Sequence, residues 1–294
     1  MVNLYATIKD SNVYRKMEIN ELLFVEYTCS KKVTQFGIWS DNNYFAFISS
    51  GKKIWRTIHN AYEVADGDII FVKKGANLTH AFFEDEFCAI FVFIPDEFIK
   101  AFLKRNPYLL ETTINDVSKQ DAVLRVQPDE LLKNYRQSVE SFLSMNEKPN
   151  EQLLSLKFDE LLLSLFSHSR HKEFTDHCIS LCRNQHEHMN RIMEANFAYN
   201  LKLEDLAQLC NMSLSTFKNA FKQQYHTTPA AWLKDKKLDF ALQKVLNSDL
   251  SVGDISFECG FEDTSHFIRV FKEKYDLTPL QYRQKHTQLL AYAV

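Results

Sequence analysis

The chain has 294 residues, 45% of them apolar and 25% charged, with a formal net charge of −3. That composition supports folded cores, excludes disordered and collagen-like classes, and fits two ordinary domains better than one. No apolar run reaches the roughly 18 residues of a membrane span, and MVNLYATIKD at the start lacks a secretory signal's basic segment and apolar core. The six cysteines (Cys29, Cys88, Cys178, Cys182, Cys210 and Cys259) are spread thinly, as in a reducing cytoplasm, and only six glycines leave little room for phosphate-binding loops.

The first 95 residues or so read as strands. Short apolar or alternating runs fall at 22–28, 44–49, 54–59, 69–73, 78–83 and 87–94. Turn signals separate them: Ser50-Gly51, Asp66-Gly67-Asp68, Lys74-Gly75 and Glu84-Asp85-Glu86. Many short strands at regular spacing predict a sandwich or small barrel. After Pro95 the period becomes helical, through Phe98, Ile99, Phe102 and Leu103. Two further helices are expected at about 128–145 and 151–167, the first carrying Leu131, Leu132, Tyr135, Val139 and Phe142. Their apolar stripes suggest contact between two copies of the chain through Leu154, Phe158, Leu161 and Leu165. Packing within the domain is the alternative. The span SHSRHKEFTD is polar and without clear period, which puts a linker at 171–183 between domains at 1–170 and 184–294.

The C-terminal half contains an internal repeat. Phe217, Phe221, Lys222, Tyr225, Thr228 and Pro229 are matched 50 residues later by Phe267, Phe271, Lys272, Tyr275, Thr278 and Pro279. Upstream the offset is 49, pairing Leu206, Cys210 and Met212 with Ile255, Cys259 and Phe261. A helix–turn–helix unit therefore occurs twice, with one residue inserted where a turn belongs. In the first copy Leu203, Leu206, Ala207 and Cys210 form a buried stripe, and Ser213 is a candidate N-cap. The second helix turns Ser215, Lys218, Asn219 and Lys222 outward, a polar face without an acid. In the second copy Asp263 is the candidate cap and the outward stripe is Ser265, Ile268, Arg269 and Lys272. Between them Thr228-Pro229 starts a helix running to about Asn247. A helical bundle with merely solvated polar stripes is the competing reading. From residue 184 onward the chain carries 13 Lys and Arg against 13 Asp and Glu, so attraction to phosphate must come from local placement and helix N-termini.

The blocks LEDLAQLCNMSLSTFKNAFKQQYHTTPAAW and VGDISFECGFEDTSHFIRVFKEKYDLTPLQY resemble the AraC/XylS family of bacterial transcription regulators over about 190–286. The stretches at 66–75 and 156–162 extend the resemblance to its ExsA-type branch. The resemblance implies an α+β fold: an N-terminal cupin-like β-barrel with a helical pair, then an all-α domain with two helix-turn-helix motifs joined by a long helix. It implies a cytoplasmic activator rather than an enzyme, regulated through the N-terminal half, binding double-stranded DNA as a homodimer and contacting RNA polymerase. Carried over by position, base contacts fall on Ser215, Lys218 and Asn219 in the first copy. In the second they fall on Ser265 and Arg269, with His266 at the edge. Arg269 suits guanine, Asn219 adenine, and Lys218 the acceptors of guanine. Ile268 suits a thymine methyl. Lys222, Lys272, Thr216 and Thr264 suit phosphate.

The N-terminal half leaves other readings open. In ExsA-type relatives the implied input is a protein anti-activator. A small-molecule effector is the alternative, with Phe24, Tyr27, Phe45, Phe47, Trp55, Phe71, Phe82 and Phe91 lining a pocket or else simply filling the barrel. A cupin-like metalloenzyme would need clustered histidines, and this half offers only His59 and His80. Cys178, Cys182 and His186 share a helical stripe but cannot complete a tetrahedral zinc site without another element. No metal or cofactor is expected.

Overall fold

The structure, a computed structural model, describes residues 1–29, 36–81, 86–111, 117, 120–145, 149–182 and 185–291. Phe82 and the turn at Glu84 and Asp85 lie outside the described residues, as do the side chains of His80 and His186. The chain divides into two compact units, Met1–Arg191 and Ile192–Val294.

The first unit opens with β1 (Val2–Asn3), α1 (Leu4–Asp10), β2 (Arg15–Ile19), β3 (Leu22–Cys29), β4 (Phe36–Ser40) and β5 (Asn43–Ser50). It continues with β6 (Lys53–Arg56), β7 (Ala61–Val64), β8 (Ile69–Val72), β9 (Gly75–Ala81) and β10 (Phe87–Ile94). Then come α2 (Asp96–Arg105), β11 (Val123–Val126), α3 (Glu130–Leu143), α4 (Glu151–Phe166), α5 (Lys172–Leu181) and α6 (Gln185–Asn196), the last running across the unit boundary. The strands form two sheets, ordered β1-β4-β9-β6-β7 and β11-β8-β5-β10-β3-β2. All pairings are antiparallel except β1 with β4.

Side-chain alternation along the second sheet fills two cores at once. Phe87, Ala89, Phe91 and Phe93 of β10 meet Tyr44 and Ala46 of β5 and Trp55 of the facing sheet. Ile90, Val92 and Ile94 point the other way, with Phe45, Phe47 and Phe71, toward α2 to α5. A sheet covered on both faces explains why β5, β8 and β10 are nearly unbroken apolar runs. It also divides the expected pocket lining. Tyr27, Trp55 and Phe91 lie between the sheets, whereas Phe24, Phe45, Phe47 and Phe71 lie under the helices, so the rings fill two cores. Between the sheets Trp55 Nε1 donates to the Tyr44 hydroxyl at 3.0 Å, which pairs both polar tips.

One buried ion pair locks a corner of this unit. Lys74 Nζ lies 2.6 Å from Asp96 Oδ2, and both side chains are almost fully enclosed. Asn43 Nδ2 donates to Asp96 Oδ1 at 2.8 Å, and the Lys74 amide donates to Asn43 Oδ1 at 3.0 Å. Burial pushes the Asp96 carboxyl upward, but Lys74 and these hydrogen bonds outweigh it and hold the group at about 2.

Two expectations need correction here. Leu154, Phe158, Leu161 and Leu165 are buried in their own subunit's core, against Phe24, Phe98 and the helical layer, so they are not free to meet a second copy. The outer face of α4 instead exposes Leu153 (43%), Leu156 (60%) and Leu163 (41%). At 100° per residue these centre nearly opposite the buried set. The polar segment expected as a linker carries α5, whose Phe174, Cys178 and Leu181 recur at i, i+4, i+7 and enter the first unit's core. The apolar stripe survives among charged neighbours because only one face of the helix has to be apolar.

The second unit holds α7 (Leu203–Leu209), α8 (Leu214–Tyr225), α9 (Pro229–Asn247), α10 (Val252–Glu258), α11 (Thr264–Tyr275) and α12 (Pro279–Ala291). The expected architecture, an α+β half followed by a helical half with a long central helix, is present. Thr228 and Thr278 cap α9 and α12 through their hydroxyls, each followed by proline at the first helical position. The repeat extends one contact beyond the residue pairs matched above. Phe221 and Tyr225 pack on Trp232, and 50 residues on Phe271 and Tyr275 pack on Tyr282.

Candidate nucleic-acid interface

The two copies make their turns by the same hydrogen bonds. In the first, Met212 N donates to Ala207 O at 3.0 Å and Asn211 N to Gln208 O at 2.9 Å. In the second, Phe261 N donates to Ser256 O at 3.0 Å and Gly260 N to Phe257 O at 2.9 Å. This is the Schellman ending, which needs a left-handed residue after the helix. Asn211 (φ 56°) and Gly260 (φ 73°) occupy that position. Glycine is required in the second copy, because a Cβ there would lie 2.3 Å from the Ala198 carbonyl oxygen. The inserted residue of the repeat is Glu262, which accepts from Asn200 Nδ2.

The second helices start and stop alike. Ser213 Oγ accepts from Thr216 N at 3.2 Å to cap α8, and Asp263 Oδ1 accepts from His266 N at 2.5 Å to cap α11. Both end in a left-handed residue, His226 (φ 54°) and Asp276 (φ 63°). Phe217 and Phe221 are buried in α8, and Phe267, Val270 and Phe271 in α11. That inward anchoring fixes which face points out. Ser215, Thr216, Lys218, Asn219 and Lys222 are exposed on α8, and Thr264, Ser265, His266, Arg269 and Lys272 are exposed on α11. Ile268 is half-buried against the core of the second copy.

Some of these groups already have local partners. The Thr216 and Ser215 hydroxyls lie 2.8 Å and 3.0 Å from Ser213 Oγ, joining the cap of α8. The N-terminus of α11 is capped by its own carboxylate, so of the two helices α8 has the acid-free start that favours a phosphate. Arg269 Nη1 lies 3.5 Å from Glu273 Oε1, a neighbour absent from the expected stripe. Glu273 matches Gln223 at the repeat offset of 50, and that comparison in the sequence would have revealed it.

Both helices are tied to α9. Lys274 Nζ and the Tyr275 hydroxyl each lie 2.7 Å from Asp239 Oδ1, and Lys237 Nζ donates to the Gly260 carbonyl at 2.8 Å. Leu238, Ala241 and Val245 complete the core with Ile255 and Phe267. On the α8 side, Trp232 is the anchor.

The other candidate chemistry looks different. His59 is exposed. Burial pushes the Cys178 thiol well above its ordinary range, and the Cys182 thiol is also raised, which disfavours the thiolate that zinc needs. Among the described residues no three His, Cys, Asp or Glu side chains gather as a metal site would require, and no helix is long and apolar enough to cross a membrane.

Residues 43–177 match the ExsA N-terminal regulatory domain, and residues 206–285 match a helix-turn-helix domain. The chain is 27% identical over 233 residues to the virulence regulon transcriptional activator VirF of Yersinia enterocolitica, covering 79% of this chain and 86% of that relative. It is 26% identical over 235 residues to the HTH-type transcriptional regulator ExsA of Pseudomonas aeruginosa, covering 80% and 83%. A solved structure of ToxT from Vibrio cholerae aligns over 89% of this chain and 97% of that one, at 14% identity and a TM-score of 0.42. The chain thus joins a segment similar to the ExsA N-terminal regulatory domain to one similar to a helix-turn-helix domain, and the relatives it resembles along most of its length, VirF and ExsA, are AraC-family transcription regulators.

Proposed function

We propose that the chain activates transcription by laying α8 and α11 into successive major-groove segments on one face of a promoter. The observation that carries this reading is the pair of exposed outward faces on two equivalently capped helices, joined by α9. Its 19 residues span about 28 Å at 1.5 Å each, near the roughly 34 Å between groove segments. Arg269 reads guanine through a forked contact, Asn219 reads adenine, and Lys218 donates to guanine acceptors. Ser215 and Ser265 donate to base edges beside them, with His266 at the margin. Lys222, Lys272, Thr216 and Thr264 hold the phosphates that set register. Because the domain is nearly neutral, these few cations carry the electrostatic part of binding.

The first unit supplies regulation. Self-association runs through the outward stripe Leu153, Leu156 and Leu163, the apolar face of α4 left uncovered in one copy. A protein partner acting on this unit fits its filled cores better than a small-molecule effector does. RNA polymerase contact, a cytoplasmic setting and a regulatory rather than catalytic role belong to the same proposal, supported by the resemblance to AraC-family activators.

Selection of duplexes from a random pool by the full chain tests the reading. The expected product is a bipartite site whose two elements lie about 10 base pairs apart. A pool without enrichment, or with one short element only, overturns it.

A further inference from the structure

The outward face of α11 carries an acid, whereas that of α8 carries none. Residues 214–225 contain no acid, and residues 264–275 contain only Glu273. That carboxylate is exposed and lies one turn from Arg269, 3.5 Å from its guanidinium. Every simple physical effect argues against an acid there. It sits in the last turn of α11, where the helix dipole favours cations. An Arg followed by Glu four residues later is the weaker order for a helical ion pair. With side chains 66% and 56% exposed, the pair contributes little to stability. On a surface that approaches phosphates, a negative charge also repels the ligand.

What Glu273 does supply is orientation. It engages Arg269 through Nη1. The Nε–Nη2 edge of the guanidinium is not the one that faces Glu273, and it carries two parallel donors. Such a fork matches O6 and N7 of guanine. An arginine held at one corner has fewer rotamers in which to swing onto a phosphate. The attraction also strengthens when the groove excludes water from between the two groups. The first copy has the neutral Gln223 at this place and reads bases with the shorter Asn219 and with Lys218, neither of which has a second edge to orient.

We propose that Glu273 is a specificity-determining positioning residue: it holds Arg269 in the guanine-reading geometry and penalises DNA that offers no guanine there. This rests on the assignment of α11 to the major groove. It makes the two recognition helices unequal, with α11 the more discriminating and α8 the more tolerant.

The test uses the full chain, a duplex recovered by it from a random pool, and versions of that duplex with each base pair replaced in turn. Arg269→Ala first identifies the base pair whose preference Arg269 sets. Glu273→Gln is expected to reduce preference for guanine at that pair by about three- to tenfold, while leaving other positions unchanged. It is also expected to tighten binding to an unrelated duplex. In the Arg269→Ala background, Glu273→Gln should leave base preference unaltered, because there is no guanidinium left to orient. If Arg269→Ala abolishes preference at one pair and Glu273→Gln does not alter it, Glu273 has no positioning role and the groove assignment stands. If Arg269→Ala alters preference at no pair, both the assignment of α11 and this proposal fail. Thermal unfolding of each variant should match the parent, since neither side chain is buried.

Discussion

The hydroxyl of Tyr275 donates to Oδ1 of Asp239 at 2.7 Å, and the ammonium of Lys274 reaches the same oxygen at the same distance. This carboxylate on α9 therefore anchors the last turn of α11 and helps set the angle at which that helix leaves the core. Partial burial raises the Asp239 carboxyl, but Lys274 and Tyr275 outweigh it and hold the group below the usual range. Asp239→Asn should cost about 1 kcal/mol or less, since the Asp239 side chain is more than half exposed. A depressed carboxyl contributes stability above its unfolded value and loses it as pH falls through the folded value. The difference between variant and parent in chemical denaturation should thus shrink below about pH 4.

Gly260→Ala should destabilise the second unit by at least about 2 kcal/mol, because the left-handed backbone and the nearby Ala198 carbonyl both exclude a Cβ. Asn211→Gly, at the matching turn, should shift stability by less than about 1 kcal/mol. Thermal unfolding of the two variants distinguishes them. Equal effects would mean that the close approach to Ala198 carries no weight.

Arg269→Ala and Lys222→Ala should weaken DNA binding in different ways. The first should lose about 1–3 kcal/mol and relax preference at one base pair. The second should weaken all sequences alike and flatten the salt dependence by about one unit. Titrations at several salt concentrations, with cognate and scrambled duplexes, read both. Reversed behaviour would exchange the roles of the two side chains.

Leu161→Glu and Leu156→Glu, one turn and a half apart on α4, should part company. Leu161 is fully enclosed, so a carboxylate there should unfold the first unit or cost about 4 kcal/mol or more. Leu156 is exposed, so the same change should leave circular dichroism intact and lower the mass measured by light scattering. A dimer that survives Leu156→Glu in a folded chain would remove the outer stripe as the contact.

Lys74→Met leaves the Asp96 carboxylate buried without its cation and should cost about 3–5 kcal/mol in urea denaturation at neutral pH. Asp96 is held at about 2 in the folded chain, against about 3.9 when unfolded. Its contribution is complete above the unfolded value and is lost as pH falls between the two. The cost of the substitution should therefore narrow over that window. A penalty independent of pH would indicate lost packing rather than lost charge.

Much of this molecule was legible in its residues. The six strand runs read from alternation correspond to β3, β5, β6, β8, β9 and β10, because strands that bury whole faces leave a strong apolar signal. The strands β1, β2, β4, β7 and β11 went unread. They are at most five residues long, and all but β4 lie at sheet edges, where pairing asks little of their side chains. The duplicated helix–turn–helix was visible down to the inserted residue. Caps, left-handed turn residues and inward phenylalanines are local requirements, and they recur wherever the local structure recurs.

The sequence by itself determined that the repeated segments are helices, where the repeat turns, and which stripe of α8 and α11 can be polar. Only the tertiary structure decided which of two apolar faces of α4 meets the sheet, and that Phe174, Cys178 and Leu181 draw a charged segment into the first core. The reason is that hydrophobic period reports one face at a time. A helix with leucines on opposite sides, or one apolar stripe among many charges, carries its meaning in what it packs against, and that partner lies far away along the chain.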